Sequence, residues 1–387
     1  MRVTHVITDL EVGGAQVMLQ HLVTRLQLNG VANTVVALGG MNARFAALRD
    51  VGVPLHALAM ARSVPDPREC MRLRRTIAAS APDVVHTWMY HADLMAGFTT
   101  WVSGIAPVVW GLHHTPARAE RLKLLTKGIM RVNAWLSTRV PVRIVCCAHA
   151  SKSAHAGLGY DESRMVVIPN GFDIDLFRPD ADARRSVRRE LGVGDSTPLI
   201  GLMARFHPQK DHRTFINAAA QLAATRPDAH FVLAGCGVNG DNTELGRWLA
   251  ASGIGGRVHL LGPRRDTPRL LAACDIVTSA ASVGEAFPLV LGEAMACGVP
   301  CVTTNVGDSA ALVGDTGRVV APRDVQGMAA AWDRPESVRS TLRSTSSPWR
   351  GRNRPISKAS RSPDDRTPRR TPSNRRASRC LGPSSSR

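Results

Sequence analysis

Residues 275–305 read DIVTSAASVGEAFPLVLGEAMACGVPCVTTN. An apolar run ends near Ala280 and a loop of small residues follows. Pro288 suits a first helical turn, and Gly298 with Pro300 stops the helix before a second apolar run. Strand, loop, helix and strand in that order make one βαβ unit, whose two strands must be parallel. The same alternation extends outward through the chain. VTHVIT, NTVVALG, PDVVHT, PVVWGL, RIVCCA and RMVVIP lie in the first half, and PLIGLMA, HFVLAG and RVHLLG in the second, with helical patterns between them. This predicts an α/β chain of two doubly wound, Rossmann-like domains facing a cleft.

The join falls in PNGFDIDLFRPDADARR, where Pro169, Asn170 and Gly171 end a strand and the polar stretch beyond has no core face. Pro208 and Asp211 precede the helical stretch HRTFINAAAQLAATR, and Pro227 follows it. The expected division is an acceptor-side domain over 1–178, a nucleotide-sugar-binding domain over 179–330 that the chain leaves incomplete, and a tail over 331–387.

The 387 residues suit two domains, each with its own core. No apolar run approaches the roughly 18 residues of a membrane span. The opening MRVTHVITDLEVGG lacks the uninterrupted apolar stretch of a signal peptide. A cytoplasmic chain is expected, with the inner face of the membrane as a peripheral location. Eight cysteines contain no CxxC pair and sit mostly among apolar neighbours, as reduced thiols do.

The net charge of +18 is uneven, because residues 331–387 hold 15 basic side chains against 4 acidic. That segment is rich in Arg, Ser and Pro and has no apolar periodicity, so disorder is expected. A basic arm of this kind would suit nucleic acid or anionic lipid. The abrupt change near Trp332 also has the texture of an out-of-frame reading of a GC-rich gene. No nucleic-acid-binding module is recognisable, so no nucleic-acid partner is expected.

Ligands of open parallel sheets collect beyond the carboxyl ends of the strands, where helix starts present free N–H groups. The loop from Gly284 to Leu289, including Phe287 and Pro288, is therefore a seat for phosphate. Glu285 lies in that loop and Glu293 in the second helical turn, with seven residues between them. Two carboxylates at an anion-attracting helix start need hydroxyl donors, and a nucleotide sugar supplies them on its ribose and its sugar. Releasing such a sugar leaves negative charge on the nucleotide, which calls for cations. Arg205 and Lys210, in LIGLMARFHPQKDHRTF, stand just past a strand and before a helix. Gly13 and Gly14 follow the first strand, either as a tight turn or as a place where backbone approaches a ligand closely. His113 and His114 sit past PVVWGL, again at a carboxyl end.

The string EAFPLVLGEAMACGVPCVTT, with seven residues between its two glutamates, resembles the signature of the retaining glycosyltransferases of family 4, which have the GT-B fold. The resemblance covers about residues 1–330. It implies a transferase whose donor is a nucleoside diphosphate sugar, with no further cofactor and no metal, and whose acceptor is a saccharide or lipid-linked saccharide of cell-surface polysaccharide or glycolipid synthesis. It assigns Arg205 and Lys210 to the donor diphosphate, Glu293 to the ribose, Glu285 to the donor sugar, His114 to the reacting sugar, and Gly13, Gly14, Phe287, Pro288 and Leu289 to the donor's surroundings. His113 remains an alternative to His114.

Family members continue with helices that close the second domain, whereas here the pattern dissolves near Trp332, so an inactive truncated enzyme is one alternative. Another nucleotide-sugar enzyme of the same fold, such as an epimerase, is a second. A third is a dinucleotide-dependent oxidoreductase, suggested by Gly235, Gly237 and Gly240 in GCGVNG, although RVHLLG ends in Gly262 and Pro263 rather than an acid. Asp173 and Asp175 form a DxD pair of the kind that holds metal elsewhere, here placed between the domains. In 118–131, Lys123, Lys127 and Arg131 recur every four residues while Leu122, Leu125 and Ile129 can turn to another face. An amphipathic helix touching anionic membrane is the expectation there.

Overall fold

The computed structural model describes residues 1–333, apart from 11–12, 42, 61–65 and 117–123. The expected disordered segment from 334 onward, with Lys123 and Leu122 of the basic stretch, lies outside the described residues.

Thirteen strands form two wholly parallel sheets among the described residues. The first contains β1 (Arg2–Ile7), β2 (Ala32–Ala37), β3 (Leu55–Ala57), β4 (Val84–Trp88), β5 (Val108–Leu112), β6 (Pro141–Cys146) and β7 (Met165–Val167), in the order β3-β2-β1-β4-β5-β6-β7. The second contains β8 (Leu199–Met203), β9 (His230–Ala234), β10 (Val258–Leu260), β11 (Ile276–Ser279), β12 (Cys301–Thr304) and β13 (Gly317–Val320), in the order β10-β9-β8-β11-β12-β13. Both orders run outward from a central pair, β1 with β4 and β8 with β11, which is the doubly wound, Rossmann-like arrangement.

Each apolar run named from the sequence is a strand, because both faces of a parallel sheet are covered by helices and demand apolar side chains. In β1, Val6 packs with Val36, Leu73, Ile77 and Val85 on one face, while its neighbour Ile7 packs with Leu19, Val23, Val35 and Leu48 on the other. In the second sheet Ile200, Leu202, Phe231 and Leu233 bury against Phe215, Leu222 and Met328. The sequence reading lacked β3 and β13. Both are edge strands, and exposed or half-exposed along their length, so neither carries the apolar signal of a central strand.

The last described helix, Val325–Asp333, runs three residues past 330. Trp332, the residue near which ordinary sequence gives way, is a core residue: it is 2% exposed, packs edge-on to Phe215 at 5.1 Å, and donates from Nε1 to the Thr278 hydroxyl at 3.0 Å.

Between the sheets, the segment 169–179 is held by its own carboxylates. Asp173 accepts from the backbone N–H groups of Asp175 and Leu176, and Arg25 of the helix Gly14–Leu28 bonds Asp173 at 2.8 Å and reaches Asp175 at 3.9 Å. The DxD pair is thus engaged by an arginine and by a turn. The tip of the Phe172 ring approaches the helix Leu289–Ala296 so closely that a Cβ on Gly292 would fall 2.1 Å from it. Glycine at 292 is what lets the connecting segment dock there.

Trp332→Ala removes both a large buried ring and a hydrogen bond, and should lower the unfolding free energy by about 3–5 kcal/mol, read from urea denaturation. An unchanged midpoint would mean that this helix contributes nothing to the second core.

Candidate active site

β8 and β11 are neighbours at the centre of the second sheet, the position beyond whose carboxyl ends a doubly wound sheet gathers its ligands. After β8 the backbone rises over the glycines that follow β9. Ala204 N–H donates to Ala234 O at 2.9 Å and Phe206 N–H to Cys236 O at 2.8 Å. A Cβ at Gly235 (φ +154°) would sit 2.1 Å from the Ala204 carbonyl oxygen. The first glycine of GCGVNG therefore serves close packing between two loops, beneath the Arg205 backbone. Arg205 itself is exposed and forms no ion pair among the described residues.

Beyond Arg205 the chain makes a tight turn, Pro208–Lys210, capped by the His207 ring, which accepts from Gln209 N–H at 3.3 Å. Asp211 adopts a left-handed conformation (φ +48°), and its carboxylate caps the helix His212–Thr225 through Thr214 N–H and hydroxyl. This hook projects Lys210 toward the β11 loop, where its ammonium pairs with the Glu285 carboxylate. Ser282 N–H bonds the Gln209 carbonyl at 2.9 Å, fixing the two loops to each other. Both members of the ion pair are largely shielded, at 28% and 16% exposure, so their attraction is less screened than at the open surface.

Glu293 follows one turn along the helix Leu289–Ala296, four residues from Leu289 and on the same side. Pro288 is the residue before that helix, and Phe287 stacks on Phe172 with ring centres 6.0 Å apart. From the first domain the start of the helix Gly14–Leu28 comes up to meet it: a Cβ on Gly14 would lie 4.0 Å from Leu289 Cδ1. Neither helix has a side-chain cap bond or an acid in its first turn. Two helix starts with uncapped N–H groups thus converge, and their partial positive charge favours an anion.

His113 and His114 follow β5 and take separate surroundings. His113 stacks on Trp88 at 4.3 Å, and Trp88 Nε1 donates to His5 Nδ1 at 3.3 Å. His114 meets the Tyr90 ring edge-on at 4.6 Å, and its carbonyl accepts from the Ser151 hydroxyl at 3.0 Å. Tyr90 Oη lies 2.8 Å from His155 Nε2, and His155 Nδ1 lies 2.7 Å from the Ser151 carbonyl. A carbonyl can only accept, so Nδ1 of His155 carries the proton and Nε2 accepts from the tyrosine. Burial pushes His114 down to about 3, helped by His155 and His113, and pushes His113 and His155 down to about 4. All three are neutral imidazoles near neutral pH. Nδ1 of His114 has no hydrogen-bond partner among the described residues.

Lys210 thus meets Glu285 and Gly14 comes up to Leu289, with Glu293 one turn further along that helix, Arg205 in the loop after β8, and Phe287 turned to the connecting segment. Among the described residues no group of three or more His, Cys, Asp or Glu gathers as for a metal. The sequence reading missed Ser151, Tyr90 and His155 around His114, and Asp308, which accepts from His149 and Ala150 N–H across the cleft. The one signal for Asp308 was a helix start, AHAS, with no capping side chain of its own.

The sequence family described as Glycosyltransferase Family 4 matches residues 12–176, and that described as Glycosyl transferases group 1 matches residues 197–334, together most of the chain. The UDP-Gal:alpha-D-GlcNAc-diphosphoundecaprenol alpha-1,3-galactosyltransferase of Escherichia coli is 25% identical over 256 residues, which is 65% of each chain. The D-inositol 3-phosphate glycosyltransferase of Corynebacterium jeikeium is 35% identical over 159 residues, 38% of each. The chain thus aligns with just under two thirds of the first relative and well under half of the second. Anabaena HepE, solved in complex with UDP-glucose, shares the fold with a TM-score of 0.77 at 24% identity, over 89% of this chain and 94% of that one.

His5, His113, His114 and His155 all sit below the ordinary value of 6.5. The unfolded chain therefore takes up more protons than the folded one between about 4 and 6.5, and stability, full above that window, falls as pH drops through it. The urea midpoint at pH 5 should lie below that at pH 7, and His155→Gln should narrow the gap. Equal wild-type midpoints would contradict this burial.

Proposed function

The chain belongs to the family 4 glycosyltransferases, and from that premise we propose that it transfers a sugar with retention from a nucleoside diphosphate sugar to a saccharide or lipid-linked saccharide. The observation that carries the reading is the Lys210–Glu285 pair, set between Arg205 and the helix start that bears Glu293. Glu285 neutralises Lys210. A donor diphosphate would draw Lys210 and Arg205 toward it and free the Glu285 carboxylate for sugar hydroxyls, while Glu293 accepts from the ribose. The bond from the anomeric carbon to the β-phosphate oxygen breaks and the bond to the acceptor oxygen forms on the same face. The acceptor proton passes to the departing diphosphate. His114, neutral and carrying an unpartnered nitrogen, suits hydrogen bonding to a sugar hydroxyl rather than charge stabilisation.

A lipid-linked acceptor is favoured by the E. coli relative, named for a diphosphoundecaprenol substrate, and by the surface of the first domain. The helix Leu124–Leu136 exposes Leu124, Leu125, Val132 and Trp135 along one stripe while Met130, Asn133 and Leu136 face the core. Leu125, expected on a face other than the basic one of an amphipathic helix, is among the exposed residues. Arg139 lies 4.9 Å over the Trp135 ring. Apolar side chains with cations at their border suit the interface of an anionic bilayer. No described helix is long and apolar enough to cross a membrane.

The test is a panel of labelled nucleotide sugars offered with saccharide and lipid-linked acceptors. Label should leave the nucleotide for the acceptor, which an epimerase would not do. Lys210→Ala and Glu285→Ala should each lower kcat by roughly 10²–10³-fold; near-normal turnover would remove their assigned roles. Separately, the protein should sediment with vesicles containing phosphatidylglycerol and less with phosphatidylcholine alone, and Leu124→Ser with Trp135→Ser should abolish the difference.

A further inference from the structure

The helix His149–Ala156 of the first domain starts without a capping side chain of its own, since Ala148 occupies that position. Its first N–H groups are satisfied from the other domain. Asp308 Oδ2 accepts from His149 N–H at 2.7 Å and Oδ1 from Ala150 N–H at 2.8 Å. Both oxygens are used, and a carboxylate is the favourable charge at a helix start.

Asp308 is equally bound to the candidate site on its own side. Its N–H donates to the Ala286 carbonyl at 2.9 Å. The preceding Gly307 (φ +63°) lies so close to the β11 loop that a Cβ would fall 2.3 Å from the Glu285 carbonyl oxygen and 2.7 Å from that of Ala286. The turn carrying Asp308 is therefore the support on which Glu285 rests.

The helix in turn holds the first-domain half. Ser151, in its first turn, donates to the His114 carbonyl, and His155, one turn on, lies edge-on to the His114 ring at 6.0 Å while bonding Tyr90. An unbroken run of contacts thus leads from Glu285 through Asp308 and the helix start to His114.

We propose that Asp308 is a positioning residue that sets His114 in register with Glu285 by capping, from the second domain, the helix on which His114 rests. It touches no reacting atom. Its carboxylate converts domain closure into a defined placement of the two halves of the site, and an open cleft would leave the helix start uncapped. Its catalytic consequence rests on the transfer reading above.

The test compares wild type with Asp308→Ala, which removes both acceptors, and Asp308→Asn, which keeps one. Amide hydrogen exchange is read at 149–150, whose N–H groups the carboxylate accepts from, and at 308, whose N–H donates to Ala286, the affinity for a nucleoside diphosphate by calorimetry, and kcat and KM with the transferred donor. Asp308→Ala should exchange at least tenfold faster at both places and lose at least tenfold in kcat, with nucleoside diphosphate affinity within twofold, because Arg205, Lys210 and Glu293 belong to one domain. Asp308→Asn should fall between. Unchanged exchange in Asp308→Ala, or faster exchange with kcat within twofold, would overturn the proposal. Should wild type transfer no sugar, the transfer reading fails, and exchange alone still decides whether the clasp exists.

Discussion

The meeting of Lys210 with Glu285 depends on a single topological fact, that β8 and β11 are neighbours although 72 residues of helix, strand and loop separate the end of one from the start of the next. In a parallel sheet every strand delivers its following loop to the same edge. Where the winding reverses, two such loops come from neighbouring strands, and here Ser282 N–H bonds the Gln209 carbonyl from one to the other. The glycines after β9 and Gly307 after β12 then let the neighbouring loops press against those two from either side. The charge pair is thus a consequence of fold geometry first and of side-chain chemistry second.

Its counterpart in the first domain is built on different terms. Where the second domain offers formal charges, the first offers neutral rings: His113 on Trp88, His114 against Tyr90, and His155 holding the tyrosine hydroxyl. Burial keeps these imidazoles uncharged. On the proposed reading, a neutral imidazole beside a sugar would donate and accept without adding positive charge to compete with Arg205 and Lys210 for a diphosphate. The division suits a donor whose anionic end and carbohydrate end ask for different surroundings.

The architecture was legible because helix-covered parallel strands require apolar runs, and runs such as PLIGLMA and HFVLAG have no other economical reading. β3 and β13 escaped since edge strands are freed from that requirement. The loop chemistry of Glu285, Glu293, Arg205 and Lys210 could be read from local spacing. What local spacing could not carry was which partner each group meets. Asp308 caps a helix 158 residues away from Ala150, and the bonds that pair them exist only once both sheets are complete. The Asp173–Asp175 pair shows the same limit, since the arginine that engages it lies 148 residues from Asp173. Periodicity likewise identifies the apolar stripe that includes Leu125 without saying whether it meets the core or stays exposed, as Leu125 does.

A cap supplied by the opposite domain differs in energetic character from one supplied in cis. Loss of an N-terminal cap costs about 0.5–2 kcal/mol, which corresponds to a closed-to-open bias of about 2–30-fold if nothing else changes. A bias of that size favours the register in which His149 and Ala150 are satisfied, yet thermal motion can break it readily, as a cleft that admits and releases a large ligand requires. An apolar interface of the same extent would hold the cleft shut, and a charged pair exposed at the rim would give direction without register. Two backbone N–H groups and one carboxylate supply register through their geometry and reversibility through the modest energy involved. The same economy appears where Arg25 bonds Asp173: a contact at the surface guides the connecting segment, while the close fit of the Phe172 ring against Gly292 fixes where that segment rests.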